Sequence, residues 1–162
     1  RKNDALLHVD SFPATPVHGR RILRIFANVN PHGECRQWHV GEPLPKVIER
    51  FAPGIRPPVP GTASLLRLLH LTKSRRTPYD HYMLRLEDAM RADDGYQEQA
   101  VRVRFEFPPR SIWMCFTDQV SHAALSGQYA LEQTFYLPVS AMKFPEHSPL
   151  RLLEATTGRT LV

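Results

Sequence analysis

Cysteine and long apolar runs are both scarce in this sequence of 162 residues. Its two cysteines, Cys35 and Cys115, lie in unrelated contexts, which excludes a disulfide framework or a cysteine-based metal site and favours a reducing compartment. A membrane-spanning helix needs roughly 20 consecutive apolar residues, and the lack of such a run predicts no transmembrane segment. No signal peptide is visible, and no basic patch with interleaved aromatic residues points to nucleic acid.

The composition itself is ordinary for one soluble globular domain. Hydrophobic residues make up 42% and charged residues 23%, so residues 1–162 are treated as a single domain with one core. The net charge of +5 is compatible with an anionic partner and equally with a role in solubility. The first residue is not Met, so either the start has been removed or the chain is a piece of a longer protein.

The stretch from Leu6 to Asp10 carries the first candidate for chemistry. Apolar residues lead into His8 and Asp10, which are two apart and therefore share one face of an extended strand. A neutral imidazole and a carboxylate on one face can chelate a divalent metal, and iron(II) oxygenases use two histidines and one carboxylate in this way. The alternative is that this short polar pair caps a turn at a strand end. A metal site would need a third ligand from elsewhere.

A strand is predicted over residues 20–30, ending before Pro31. One of its faces is apolar and contains Leu23, Ile25, Ala27 and Val29. The other face is mixed and contains Ile22, Arg24, Phe26 and Asn28. A cation and an amide on one strand face indicate either a rim exposed to water or a ligand site, and periodicity alone favours the rim.

A mostly helical insert is predicted at about residues 41–100, between the early and the late strands. It begins with a short helix over residues 45–51 and a proline-rich run that cannot continue it. A leucine-rich helix over residues 65–71 follows, and we expect it to bury one side in the core. Inserts of this kind commonly lie over the mouth of a barrel, where loops supply specificity.

The longest predicted helix begins at Pro78, with Thr77 as its cap. It is expected to end near Asp93-Asp94-Gly95, where the glycine can supply a left-handed stop. The basic run from Lys73 to Arg76 precedes it. Such a run is more often a solvated helix end than a binding site.

The last third of the chain returns to strands, predicted over residues 101–107, 112–117 and 128–137. The second of these strands is expected to be the more buried. A terminal helix is then bracketed by Ser148, Pro149 and Gly158. His122 is predicted in the short link between the last two strands, and a jelly roll would bring that link beside His8 at one mouth of the barrel.

Four stretches of the sequence are more specific than a generic metal motif. They read HVDSFPATPVHGRRILRIFANVNP, PYDHYMLRLEDAM, FPPRSIWMCFTDQVSHAALSGQYALEQTF and SPLRLLEATTGR. Together they resemble the Kdo 3-hydroxylases, over nearly the whole chain and most specifically at FTDQVSHA and LEQTF. Members of that family are iron(II)- and 2-oxoglutarate-dependent dioxygenases that hydroxylate the sugar Kdo in the inner core of bacterial lipopolysaccharide.

The resemblance implies a mainly β fold with a helical insert, the double-stranded β-helix or jelly roll, here lacking its N-terminal strands. It implies that His8, Asp10 and His122 bind Fe(II), and that 2-oxoglutarate and molecular oxygen are co-substrates. The acceptor would be carbon 3 of Kdo in Kdo-lipid A. Such an enzyme is expected in the cytoplasm of a Gram-negative bacterium, with peripheral contact at the inner membrane.

The far carboxylate of 2-oxoglutarate needs a partner, because an unpaired buried carboxylate is costly. Many oxygenases of this class use a cation shortly after the second histidine, yet no Arg or Lys occurs between His122 and Lys143. We therefore predict Arg24 as the main contact, with Asn28 beside it on the same strand face. Gln133 on the last strand is predicted as a second donor.

The helical insert is rich in cations, namely Arg56, Arg67, Lys73, Arg75 and Arg76. Kdo bears a carboxylate and its lipid anchor bears phosphates, so Arg75 and Arg76 are predicted to contact the acceptor. The leucine-rich helix could face the acyl chains of the lipid in place of the core. Other hypotheses are a protein or small-molecule hydroxylase of the prolyl-hydroxylase kind, a non-catalytic sugar-binding jelly roll, and a basic scaffold that binds a polyanion.

Overall fold

Two antiparallel sheets of three strands each form the β framework in a computed structural model, which describes residues 3–162. The strands are β1 (Arg21–Asn28), β2 (Arg36–Pro43), β3 (Val103–Phe107), β4 (Ile112–Phe116), β5 (Val120–Ser126) and β6 (Ala130–Leu137). Their order is β4-β1-β6 in the first sheet and β3-β2-β5 in the second. Each sheet therefore has an early strand at its centre and later strands on both sides.

Helices occupy much of the chain between β2 and β3, where the sequence predicts the helical insert. They are α1 (Leu44–Phe51), α2 (Thr62–Leu68), α3 (Pro78–Ala92) and α4 (Asp94–Gln99), and α5 (Pro149–Thr157) follows β6. Short 3-10 turns cover Ala52–Gly54, Val139–Ala141 and Pro145–His147. Within residues 3–162, no helix is long and apolar enough to cross a bilayer.

Helix starts predicted from capping residues are confirmed. Thr77 caps α3, where its side chain accepts from the backbone N–H of Asp80 and the Asp80 carboxylate accepts from the Thr77 N–H. Ser148 caps α5, and Gly158 ends it in the left-handed conformation. Each capping signal depends on residues a few positions apart, so the prediction does not require knowledge of the tertiary fold.

The predicted end of α3 near Asp93 is confirmed, but the predicted role of Gly95 as its left-handed stop is wrong. The helix stops at Ala92, and Gly95 lies inside α4. Asp93 adopts an extended conformation and its side chain accepts from the N–H of Tyr96, which starts a second helix immediately. A capping aspartate therefore breaks the helix before the glycine is reached.

The two faces of β1 are oriented against the prediction from periodicity. Ile22, Phe26 and Asn28 of the mixed face are buried, and Phe26 contacts Trp38 of the second sheet with ring centroids 4.9 Å apart. The mixed face therefore points toward the second sheet, and the rim assignment is wrong. The apolar residues of β1 lie on the outer face of the first sheet.

The outer face of the first sheet also corrects the prediction for β4. Ile112 and Met114 are 72% and 65% exposed, although this strand was expected to be the more buried one. They pair with Ala27 and Ile25 of β1, so they share its outward face. No layer among the described residues covers this face.

His122 lies within a strand and not in a link. It belongs to β5, where it pairs with Val40 of β2. The preceding turn is short, since the N–H of Gln119 bonds to the carbonyl of Phe116. The sequence does not predict this strand because four of its residues are small (Ser121, Ala123, Ala124 and Ser126), which gives no alternating pattern.

The hydrophobic core of the described residues lies mainly between the helices and the segment around Leu7 and Val9. Its buried members include Val47, Ile48, Tyr82, Met83, Leu86, Met90, Tyr96 and Leu153. The leucine-rich helix α2 is not part of it, because none of the residues of α2 is buried. The expectation that this helix packs into the core is therefore wrong.

The buried carboxylate of Asp80 joins α3 to the connector that follows Asp10 through hydrogen bonds. One oxygen accepts from the N–H groups of Val17 (2.8 Å) and His18 (3.1 Å), while the other caps α3. We expect Asp80→Ala to lower the free energy of unfolding by about 3 kcal/mol, because it removes a cap and strands buried backbone donors. Thr77→Ala should lower it by about 1 kcal/mol. Urea unfolding measures both, and equal losses would contradict this role.

Candidate metal centre

A pair of backbone hydrogen bonds brings together His8, near the start of the chain, and His122, in its last third. The N–H of His8 donates to the carbonyl of His122 (3.0 Å), and the N–H of His122 donates to the carbonyl of His8 (2.8 Å). Asp10 is fixed in the same way, since its N–H donates to the carbonyl of Thr117 (2.8 Å). The segment that contains His8 and Asp10 thus lies beside β5, the edge strand of the second sheet.

The tautomers of both histidines follow from their hydrogen bonds. Nδ1 of His8 lies 2.8 Å from the carbonyl of Leu6, and Nδ1 of His122 lies 2.8 Å from the carbonyl of Val120. A carbonyl oxygen can only accept, so Nδ1 carries the proton in each ring. Nε2 is then left with a free lone pair, as a metal ligand requires.

The three predicted ligands converge. Ligand atoms of His8, Asp10 and His122 lie within 4.8 Å of one another, and all three residues are buried. Oδ1 of Asp10 is 3.5 Å from Nε2 of His8 and 3.9 Å from Nε2 of His122. Ligands about 2.1 Å from one ion stand about 3 Å apart, so this spacing fits a single metal after a small adjustment.

The charge states of the cluster also suit a metal. Burial lowers the pKa of His122 to about 4, despite the opposing effect of the Asp10 charge. Burial alone would raise the pKa of Asp10, but its contacts with His8 and Arg24 bring that pKa well below its ordinary value. Neutral pH therefore leaves a neutral imidazole and a carboxylate in the form that binds a divalent cation.

A cavity of about 230 Å³ opens beside the three ligands. Phe26 and Trp38 form its apolar wall, and Trp38 stacks on the ring of His122 with centroids 5.1 Å apart. Its polar lining consists of Asp4, Arg24, Arg36, Glu87, Arg91 and Glu132. Glu87 and Arg91 come from α3, so the helical insert reaches the mouth of the cavity.

Arg24 lies in the cavity, but its guanidinium is already engaged. Nη1 donates to Oδ2 of Asp10 (2.7 Å) and Nη2 donates to Oε2 of Glu132 (2.5 Å). Oδ2 of Asp10 is thereby occupied, which leaves Oδ1 directed at the two histidines. Arg24 therefore orients the carboxylate of Asp10 through its Nη atoms, while its buried Nε has no partner among the described residues. Its contact with 2-oxoglutarate stays a prediction.

Asn28 and Gln133, the other predicted co-substrate contacts, do not reach the cavity. The amide of Asn28 donates to the carbonyls of Glu34 and Phe107, so it fixes the turn that follows β1. Gln133 pairs with Ile25 of β1 and therefore lies on the outer face of the sheet. Gln133 faces outward because the inward residues of β6, such as Glu132, have even numbers, and its contact with 2-oxoglutarate stays a prediction.

Arg75 and Arg76, the predicted acceptor contacts, also lie outside the cavity lining. Arg75 is exposed, while Nη2 of Arg76 donates to the carbonyl of Pro13 (2.6 Å). The segment is anchored to the connector after Asp10, since the N–H of Lys73 donates to the carbonyl of Ala14 (2.8 Å). Their contact with an acceptor stays a prediction.

Arg36 is one of the cavity residues that the sequence did not predict. It precedes Trp38 by two positions on β2, and this spacing on one strand was the available signal. Nη1 donates to the carbonyl of Gly127 (2.6 Å), while the buried Nε has no hydrogen-bond partner among the described residues. Gly127 has a φ of 110°, and a Cβ there would lie 2.8 Å from Cα of Arg36, so glycine is needed for this close approach.

Comparison with known proteins gives a family match and several solved structures. A family model described as 3-deoxy-D-manno-oct-2-ulosonic acid (Kdo) hydroxylase matches residues 1–160. A search of curated proteins found no match.

The solved structures are of the Kdo hydroxylase KdoO, a non-heme Fe(II) alpha-ketoglutarate-dependent dioxygenase, and each is 50% identical to this chain. The complex with alpha-ketoglutarate and Fe(III) has a TM-score of 0.98 and aligns over 99% of this chain and 55% of its own. The cobalt(II) complex and the apo structure have TM-scores of 0.98 and 0.97, each over 99% of this chain and 54% of its own. This chain thus spans about half the length of the structures that it matches.

Replacing a predicted metal ligand should weaken metal binding, whereas replacing a histidine outside the cluster should not. We expect His122→Ala to weaken Co(II) binding by at least about a hundredfold, because it removes one of three ligands. His147→Ala, in an exposed 3-10 turn, should bind Co(II) as the parent does. Isothermal calorimetry measures both affinities, with circular dichroism to check the fold. Retained binding in His122→Ala would remove the histidine from the ligand set.

Proposed function

This chain belongs to the Kdo hydroxylase family, and from that premise we propose that it carries the metal site of an Fe(II)- and 2-oxoglutarate-dependent dioxygenase. The proposed reaction is hydroxylation of Kdo-lipid A at carbon 3 of the sugar. The observation that carries the proposal is the buried cluster of His8, Asp10 and His122 at the edge of a cavity. We further propose that the two sheets are the halves of a jelly roll, since Phe26 and Trp38 pack from facing strands.

The donor set fits Fe(II). Two imidazoles and one carboxylate on one side of an ion leave its remaining positions open for small co-substrates. Bound Fe(II) would supply the oxygen chemistry, in which 2-oxoglutarate and molecular oxygen give succinate and carbon dioxide and one oxygen atom enters the acceptor C–H bond. The chain itself has three tasks: His8, Asp10 and His122 hold the ion, Arg24 orients Asp10, and the wall of Phe26 and Trp38 excludes water.

Arg36 is the cation that we propose for the far carboxylate of 2-oxoglutarate, in place of Arg24. Arg24 is bound to Asp10 and Glu132, and Arg91 is bound to Glu87. Arg36 lines the same cavity and forms no ion pair with a carboxylate of the described residues, and its Nε, like that of Arg24, is buried without a partner there. A guanidinium can bind a carboxylate through two parallel hydrogen bonds, which would satisfy that nitrogen.

Substitution of Arg36 and of Arg24 should have different effects, the first on 2-oxoglutarate binding and the second on metal binding. Arg36→Ala should weaken 2-oxoglutarate binding to the metal-loaded protein by at least about tenfold while leaving Co(II) affinity unchanged, because the side chain contacts no metal ligand. Arg24→Ala should weaken Co(II) binding, since Asp10 loses its partner. Arg104→Ala, exposed on β3, is the control for both. Anaerobic calorimetric titration reads out each constant, and unchanged 2-oxoglutarate affinity in Arg36→Ala would overturn the assignment.

The acceptor is tested by direct turnover. With Fe(II), 2-oxoglutarate and oxygen, the purified protein should convert Kdo-lipid A to a product that is heavier by one oxygen atom, with one succinate formed for each product. His122→Ala should form neither product, whereas His147→Ala should match the parent. Succinate without oxygenated lipid would indicate a dioxygenase with another acceptor. If no succinate forms although metal is bound, the proposal that the protein is a 2-oxoglutarate-dependent dioxygenase is contradicted.

The place of action follows from the substrate. Kdo-lipid A is held in a bilayer by its acyl chains, so an enzyme that hydroxylates it must work at a membrane surface. We propose peripheral contact at the cytoplasmic face of the inner membrane of a Gram-negative bacterium. The exposed Arg75 is a candidate contact for the acidic groups of the substrate.

A further inference from the structure

Four leucines project from the helical insert without packing against the rest of the protein. Leu65, Leu68, Leu69 and Leu71, here named the leucine knob, are 54%, 74%, 57% and 58% exposed. Leu65 and Leu68 lie on α2, and Leu69 and Leu71 follow directly after it. Single exposed leucines are ordinary on a protein surface, but a contiguous group of them marks an interaction site.

The backbone holds the leucine knob outward. Gly61 has a φ of 85° and begins α2, while His70 has a φ of 54° and ends the helical run. The N–H of Leu71 then donates to the carbonyl of Leu66 (3.0 Å), and Thr72 beyond it is buried. The C-terminal end of the knob is anchored to the fold, since Thr72 is buried and the N–H of Lys73 donates to the carbonyl of Ala14 (2.8 Å).

The surroundings of the leucine knob carry charge of one sign. The sequence contains no Asp or Glu from Arg50 to Tyr79, although it contains the cations Arg56, Arg67, Lys73, Arg75 and Arg76. Arg67, Lys73 and Arg75 are exposed and form no ion pair with a carboxylate in residues 3–162. Arg67 stands between the leucines. This segment thus combines exposed leucines with exposed cations and contains no carboxylate side chain.

We propose that the leucine knob inserts into an anionic lipid surface and that Arg67, Lys73 and Arg75 contact the phosphates. Apolar side chains below the headgroups and cations level with them are the pattern of proteins that lie on a bilayer. A nucleic acid does not fit, because residues 52–78 contain no Phe, Tyr or Trp on which bases could stack. The inference rests on the proposed function in one respect, which is that a Kdo-lipid acceptor resides in such a surface.

The test uses vesicles that contain no Kdo, so it is independent of turnover. The purified protein should co-sediment with vesicles of three parts phosphatidylcholine to one part phosphatidylglycerol, and less with phosphatidylcholine alone. The double variant Leu68→Ser with Leu69→Ser should bind the mixed vesicles at least about tenfold more weakly. Leu131→Ser is the matched control, because Leu131 is 63% exposed but lies on β6.

The contribution of the cations near the leucine knob in the sequence is tested separately. Arg67→Ala with Arg75→Ala should weaken binding at low salt and have less effect at high salt, because exposed charges are screened. Arg159→Ala, exposed near the C-terminal end of α5, is the control. Unchanged vesicle binding in the leucine variant, or an equal loss in Leu131→Ser, would overturn the proposal. A change in oligomeric state on gel filtration without a change in vesicle binding would identify a second copy of the chain as the occupant, and would also overturn it.

Discussion

The reciprocal backbone hydrogen bonds between His8 and His122 are the constraint on which the candidate site depends. They place a ligand from the start of the chain beside one from its last third, and they do so through main-chain atoms that every residue carries. The side chains then need only the correct face of each strand. Because Asp10 follows His8 by two residues, the third predicted ligand lies on the same face, where its N–H bonds to the carbonyl of Thr117.

A buried carboxylate in this position requires compensation even before a metal binds. Arg24 supplies it by bonding to Oδ2 of Asp10, and Glu132 balances the second side of the guanidinium. Desolvated charges persist in a protein when they are paired and hydrogen-bonded, and breaking such a pair strands a charge. The same contact directs Oδ1 toward the histidines, so electrostatic compensation and ligand orientation are one interaction.

The sequence predicted the parts of the site and fold that local chemistry decides. The His-x-Asp pair and the caps at Thr77 and Ser148 were readable because each depends on residues a few positions apart. The inward face of β1, the outward position of Gln133 and the strand around His122 were not, because neighbouring strands decide them. Resemblance to a family supplied His122 as a ligand, which spacing alone could not do.

The space between the two sheets contains an aromatic cluster and a polar cavity side by side. The sheets can therefore pack together and still leave room for a polar site. Phe26, Trp38, Phe107 and Trp113 fill one part with ring contacts between 3.9 and 5.8 Å. The polar cavity occupies another, while the main apolar core lies among the helices. Trp38 belongs to both parts, since it packs on Phe26 and stacks on His122. The aromatic packing therefore fixes the orientation of a predicted metal-ligand ring, so that the packing between the sheets and the geometry of the candidate site depend on the same side chain.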